Sequence, residues 1–164
     1  MTNILKLSLA AVAIAALAAC GGGGDSSDVA DVYVGTWKSI CYSFTNSSGG
    51  TSYSKRIRTI SKSSATELAG SVIYDSIFSD GACTVLANRV WTDNSPILGK
   101  YVLGAKAQFL GANTDSYVFS NITTPGGTFS GYMVVNGAQM YLADTATGSA
   151  PPTGWGIYSP YTKQ

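Results

Sequence analysis

Hydrophobic positions obey two different rules along this chain. From Leu7 to Ala16 they run together, with Ser8 as the one polar interruption. From about Val32 onward they alternate with polar residues in short bursts, separated by clusters of Gly, Asn, Asp, Ser and Pro. A permanent transmembrane helix needs about 20 apolar residues, so the first run is too short to be one. Alternation with period two is the pattern of half-buried strands, and no long helical periodicity follows the first run. The pattern predicts strands at about Val32–Phe44, Ser52–Ser61, Glu67–Phe78, Cys83–Trp91, Leu98–Leu110, Ser116–Ile122, Thr128–Val135 and Gln139–Ala143. A bend is expected at Gly104. Asn136-Gly137 is the strongest hairpin signal, read as a two-residue turn with positive φ at both positions. The tail, with Pro151, Pro152 and Pro160, is expected to be irregular and packed by Trp155, Tyr158 and Tyr161.

Eight short strands joined by tight turns describe an all-β, antiparallel meander. Closing eight strands into a barrel removes exposed edges and leaves an interior for side chains or one small ligand. A two-sheet sandwich is the alternative.

The first apolar run has the length of a secretory h-region, and Lys6 with the free amine supplies a positive n-region. Its end, Leu17-Ala18-Ala19-Cys20, resembles the lipobox of bacterial lipoproteins. That resemblance implies diacylglycerol on Cys20, cleavage before Cys20 and acylation of the new amine. Two or three chains give stable anchoring where one is marginal. Residues 1–19 then form the signal peptide, residues 20–30 the lipidated cysteine with a Gly/Ser/Asp tether, and residues 31–164 a single β domain. The tether, from Gly21 to Asp28, buries too little apolar surface to order itself. By the family's sorting rule, Gly21 after the cysteine favours the outer membrane.

Charge removes several functions. The chain has ten Lys plus Arg against nine Asp plus Glu, and Lys6 leaves with the leader, so the mature protein is formally neutral. Neutrality argues against nucleic acid as a partner. Histidine is absent, which excludes His-based triads, His metal sites and a histidine pH switch. With lipid on Cys20, Cys41 and Cys83 remain as an even pair in an oxidising compartment, and a disulfide is expected between them. Two buried free thiols are the alternative. A closed loop of this length stabilises a fold by about 4 kcal/mol in the chain-entropy model. Because the first and fourth strands of a round barrel are not neighbours, the bond calls for a flattened or end-closed barrel, or a sandwich.

Gly35-Thr36-Trp37 opens the first strand and resembles the Gly-x-Trp that begins the lipocalin barrel, where the tryptophan plugs one end. Thr114-Asp115-Ser116-Tyr117 is similar to the second lipocalin motif, Thr-Asp-Tyr, with one serine inserted. The arginine-bearing third motif and the C-terminal helix have no counterpart. Avidin-like barrels also open with Gly-Thr-Trp, but their later tryptophan motifs are missing. The tail, Pro152-Thr153 ahead of Tyr161-Thr162-Lys163, resembles small uncharacterised lipoproteins of Gram-negative bacteria. These resemblances imply a lipocalin-like barrel with Trp37 as its plug.

The candidate chemistry is sparse. The mature chain has one glutamate, Glu67, and eight scattered aspartates, most of them beside turn residues. There is no phosphate loop and no Gly-x-Ser-x-Gly elbow. No catalytic residue, cofactor or metal is therefore expected, and the protein is not read as an enzyme. Lys55, Arg56, Arg58 and Lys62 form a basic cluster in which Arg56 and Arg58 share a face. It is expected to be a solvated face that discourages edge pairing, with an anion contact as the alternative. Arg89 and Trp91 share another face, and if that face is interior, Arg89 needs a carboxylate or an anionic ligand as partner.

The expected function is a lipid-anchored accessory or binding protein of the cell envelope, at the outer membrane and facing the periplasm. It would contact the membrane through its anchor and carry a small hydrophobic or amphipathic ligand, or meet an envelope protein. A structural or adhesive domain without a ligand is the alternative, and a carboxylate-dependent glycan-acting enzyme is the least favoured reading.

Overall fold

The computed structural model describes residues 28–87, 97–123 and 127–164. Cys20, Arg89 and Trp91 lie outside the described residues. After a one-turn 3-10 helix at Asp31–Tyr33 come β1 (Gly35–Ser39), β2 (Tyr42–Thr45), β3 (Thr51–Lys62), β4 (Glu67–Phe78) and β5 (Ile97–Phe109). The others are β6 (Ala112–Asn121), β7 (Thr128–Asn136), β8 (Gln139–Ala146) and β9 (Tyr161–Lys163).

All pairings are antiparallel, and the ladder runs β1-β9-β8-β7-β6-β5-β4-β3-β2 with β1 also paired to β3. That extra pairing closes the sheet. Around the ring stand β1, β3, β4, β5, β6, β7, β8 and β9, while β2 continues the line of β1 along β3. The architecture is thus a closed, eight-stranded, lipocalin-like barrel, and the sandwich alternative falls.

Two members of the ring differ from the sequence expectation. Residues 83–87 of the expected strand Cys83–Trp91 form no ladder, only an isolated bridge between Phe78 and Leu86, and β4 pairs directly with β5. The Asp80 side chain explains the departure. Its carboxylate accepts the Val85 N–H at 2.6 Å and the Thr84 N–H at 2.9 Å, bending the chain back instead of extending it. Those bonds, the Val85 one foremost, also lower the Asp80 pKa. The vacant place is taken by β9, from the tail expected to be irregular. Ser39, Lys38 and Trp37 of β1 pair with Tyr161, Thr162 and Lys163, and β8 pairs with the other side of β9. Without it, β1 and β8 would each present an open edge.

Smaller differences have local causes. The expected first strand Val32–Phe44 breaks at Ile40–Cys41, where the Ile40 N–H turns to the Pro160 carbonyl at 3.2 Å. The hairpin at Asn136 pairs Asn136 with Gln139, so Gly137 and Ala138 are the turn residues, with φ +59° at Gly137. Only the first central position has positive φ, the requirement of a type II′ turn. The bend at Gly104 is a bulge between Leu103 and Lys106, as the sequence indicates.

Cys41 and Cys83 form the expected disulfide, with Cα atoms 5.8 Å apart. Its geometric corollary fails, however. Cys41 sits in the break after β1 and Cys83 in the loop after β4, so no two strands need to face one another across a flattened barrel. The loop packs on the side of β3 that carries Tyr53 and Lys55, with Lys55 Nζ donating to the Cys83 carbonyl at 3.3 Å. The bond staples the wall and leaves the lumen untouched.

Side chains fill that lumen. Trp37, Tyr33, Tyr101, Tyr161, Met133 and Met140 are each at most 2 % exposed. The rings fit because neighbouring strands supply glycines beneath them. A Cβ at Gly70 would lie 2.5 Å from the Tyr101 ring, and one at Gly99 would lie 2.0 Å from the Phe119 ring.

Candidate functional site

The two ends of the barrel are built differently. At one end lie the start of β1, the end of β3 and the hairpins after β5 and β7. The 3-10 turn folds over this end and places Ala30 and Tyr33 in the core with Trp37. Trp37 is fully buried, and its indole N–H donates to the Tyr33 carbonyl at 2.8 Å. The Tyr33 hydroxyl donates to Asp115 at 2.6 Å, and Lys106 Nζ reaches the same carboxylate at 2.7 Å. Burial, then the bonded Asp115, drives the Tyr33 pKa far above its ordinary value, so the hydroxyl remains a donor. Trp37 and Asp115, the residues that carry the lipocalin resemblance, thus meet in one sealed cluster.

Toward the other end the described residues form a cleft of about 210 Å³, lined by Arg56, Arg58, Asp144, Tyr158, Tyr161 and Leu142, among others. The strand alternation of β3 turns Ser54, Arg56, Arg58 and Ile60 inward. The expectation of a solvated basic face therefore fails for this half of the cluster. Arg58 is 7 % exposed. Lys62 does behave as expected, pairing with Asp28 and Asp31 at the surface.

Arg58 donates from Nη1 to the Tyr101 hydroxyl at 2.5 Å, and its guanidinium lies 5.3 Å from the centroid of the Tyr161 ring. Its Nε is buried without a hydrogen-bond partner. Among the described residues, Arg58 makes no ion pair. Burial opposes its charge, but the surrounding Tyr101, Tyr161 and Tyr117 hydroxyls outweigh burial and raise its pKa further. The side chain is a permanent cation. Arg56 stacks its guanidinium 3.9 Å from the Tyr158 ring centroid. Across the cleft, the Asp144 carboxylate accepts the Tyr117 hydroxyl at 2.9 Å. Burial first, and the Asp144 charge second, push the Tyr117 pKa well up.

The tail forms the lip. Gly156 N–H donates to the Leu142 carbonyl at 2.7 Å, and Ser159 Oγ bonds both the N–H and the carbonyl of Leu142, each at 3.1 Å. These bonds hold Tyr158 and Tyr161 against the two arginines.

Asp144 is the one carboxylate among the described residues that lines the cleft. Glu67 pairs with Lys100 at 2.6 Å, and Asp115 belongs to the sealed end. Among the described residues no group of three His, Cys, Asp or Glu is placed to hold a metal ion. The sequence signal for the cleft was the pairing of Arg56 and Arg58 on the Ile60 face. Asp144, Tyr158 and Tyr161 carried no signal that linked them to it. No family model, no curated protein and no solved structure matches the chain.

Proposed function

We propose that this chain is a lipid-anchored binding protein of the cell envelope, held at the outer membrane by acyl chains on Cys20 and facing the periplasm. Its barrel offers a small amphipathic ligand a cleft at one mouth. The anchoring part rests on Leu17-Ala18-Ala19-Cys20 and the tether behind it. The binding part rests on one observation: Arg58 is buried at the cleft with its charge unmatched by any ion pair among the described residues. A purely structural wall would be served as well by an apolar residue there. The filled lumen supports a ligand seated at the mouth and partly wet, in place of a hydrophobic one carried inside.

The test has two arms. Cys20→Ala should leave an unprocessed or soluble precursor, and a variant that still fractionates with membranes and is cut normally overturns the anchor. Native mass spectrometry of the mature protein, purified in a non-ionic detergent from its own host, should find a retained small molecule. A protein that is always empty favours the alternative of a structural envelope domain, which the packed lumen would also suit.

A further inference from the structure

The sealed end of the barrel presents apolar residues to solvent. Leu110 stands at the tip of the hairpin between β5 and β6 and is 58 % exposed. Phe109 pairs with Ala112, so Leu110 and Gly111 are the two turn residues, with φ +50° and +78°. Such a turn favours Asn-Gly, and a bulky side chain at its first position is sterically out of place. The neighbouring tip between β7 and β8 presents Gly137 and Ala138, both exposed. Val32 is exposed on the 3-10 turn that folds over the same end. Behind the tips lies an aromatic patch on the outside of the wall. Met133, Met140 and Leu142 point into the core, so alternation turns Tyr132 and Tyr141 outward. Phe109 stacks on Tyr132 with ring centroids 4.6 Å apart, Trp155 meets Phe109 edge-on at 5.0 Å, and Tyr141 lies 5.5 Å from Trp155. Tyr132, Tyr141 and Trp155 are half-buried. Amphipathic rings of this kind behind an apolar tip suit a water–lipid interface.

The start of the described chain is fixed at this same end. Lys62, the last residue of β3, pairs there with Asp28 and Asp31. Residues 21–27 separate Asp28 from Cys20, a span of at most about 28 Å. That is shorter than the roughly 36 Å along β3 from Lys62 back to Thr51. Acyl chains on Cys20 therefore keep the sealed end, and not the far end, beside the bilayer.

We propose that the sealed end docks on the lipid surface, that Leu110 and Ala138 enter the apolar interface, and that Trp155, Tyr132 and Tyr141 lie at headgroup level. This contact is a second one beside the acyl chains, and it rests on the anchor at Cys20 proposed above. It fixes the orientation of a domain that a tether alone would leave free to tumble. It also turns the Arg58 cleft away from the membrane. In its left-handed position Leu110 supplies an apolar knob, which Asn or Gly would not.

The experiment uses the mature lipidated protein in phosphatidylcholine vesicles. An environment-sensitive fluorophore is attached to the thiol of Ala138→Cys and, as a reference, of Ser48→Cys in the turn between β2 and β3. With lipid on the Cys20 sulfur and Cys41 bonded to Cys83, the introduced thiol is the only one that reacts. Flotation with the vesicles is measured first, then quenching of the label by iodide from water and by nitroxide-bearing lipid. The Ala138 label should be blue-shifted, lose its iodide quenching and be quenched by the nitroxide lipid, while the Ser48 label stays aqueous. Adding Leu110→Asp should return the Ala138 label to water. That variant should still fold, because Asp accepts a left-handed backbone better than Leu does, and still float on its acyl chains. On protein that floats, an Ala138 label as aqueous as the Ser48 label, or one unchanged by Leu110→Asp, overturns the docking while the anchor stands. Protection from iodide without quenching by lipid shows a second copy of the chain on this face and overturns the docking too. Protein that does not float overturns the anchor and the docking together.

Discussion

Among the described residues two charges are buried, Asp115 in the sealed cluster and Arg58 at the cleft, and they are treated oppositely. Asp115, 3 % exposed, is paired: its Oδ2 accepts from the Tyr33 hydroxyl and the exposed Lys106 ammonium, and its Oδ1, which has no hydrogen bond, lies 2.7 Å from the same ammonium. Arg58, 7 % exposed, has one hydroxyl, a facing ring and no counter-ion among the described residues. Burying a charge is tolerable when it is paired and bonded, and costly when it is not. The Asp115 cluster therefore reads as a fastening, complete in itself, that ties the turn before β1 to β6 and β7. Under the binding role proposed above, the Arg58 cluster is a socket for a ligand of opposite charge. What the contrast teaches is that burial alone does not distinguish the two charges; the counter-charge beside one and not the other does.

The contrast can be broken by mutation, and the effects should be graded. Trp37→Ala should have the largest effect, about 3–5 kcal/mol of unfolding free energy, because it empties the middle of the sealed end. A denaturant midpoint near that of the wild type would show that this end is not what holds the barrel. Asp115→Ala comes next, at about 1–3 kcal/mol, the cost of leaving the buried Tyr33 hydroxyl with only the 3.1 Å bond to the Met133 carbonyl. Lys106 is mostly exposed and returns to water without penalty. Arg58→Met should be smallest, because relief of the unmatched charge offsets the cost, about 1–3 kcal/mol, of leaving the buried Tyr101 hydroxyl without the Arg58 bond. Chemical denaturation of all three, run side by side, checks the ranking. If Arg58→Met costs more than Asp115→Ala, the roles are reversed and Arg58 is the structural residue.

Much of the barrel was legible because period-two alternation and turn residues are local signals. β3 to β8 fall close to the predicted positions, with the exception of the segment after Phe78. There the apolar Val85 and Leu86 imitate a strand, but a single carboxylate, Asp80, collects the N–H groups that a ladder would have used. A three-residue strand such as β9 gives no periodic signal at all. It exists because two open edges flank it, and that is a property of the closed ring. The site was half legible for a related reason. Alternation shows that Arg56 and Arg58 share a face with Ile60 but not which face is inside. The opposite face of β3 carries Tyr53 and Ile57 and is the more apolar of the two by residue type. Lumen partners on other strands, Tyr101 above Gly70 among them, decide the matter, and strands far apart in sequence supply them.

The order in which the ring is made follows from where its last member lies. β9 is the bridge between β1 and β8, so the barrel stays an open, curled sheet until Lys163 has joined the chain. A polypeptide threaded across a membrane must remain unfolded on the near side, and the signal peptide proposed here would send this one by that route. A ring whose keystone comes after every other described strand cannot close until nearly all of that passage is complete.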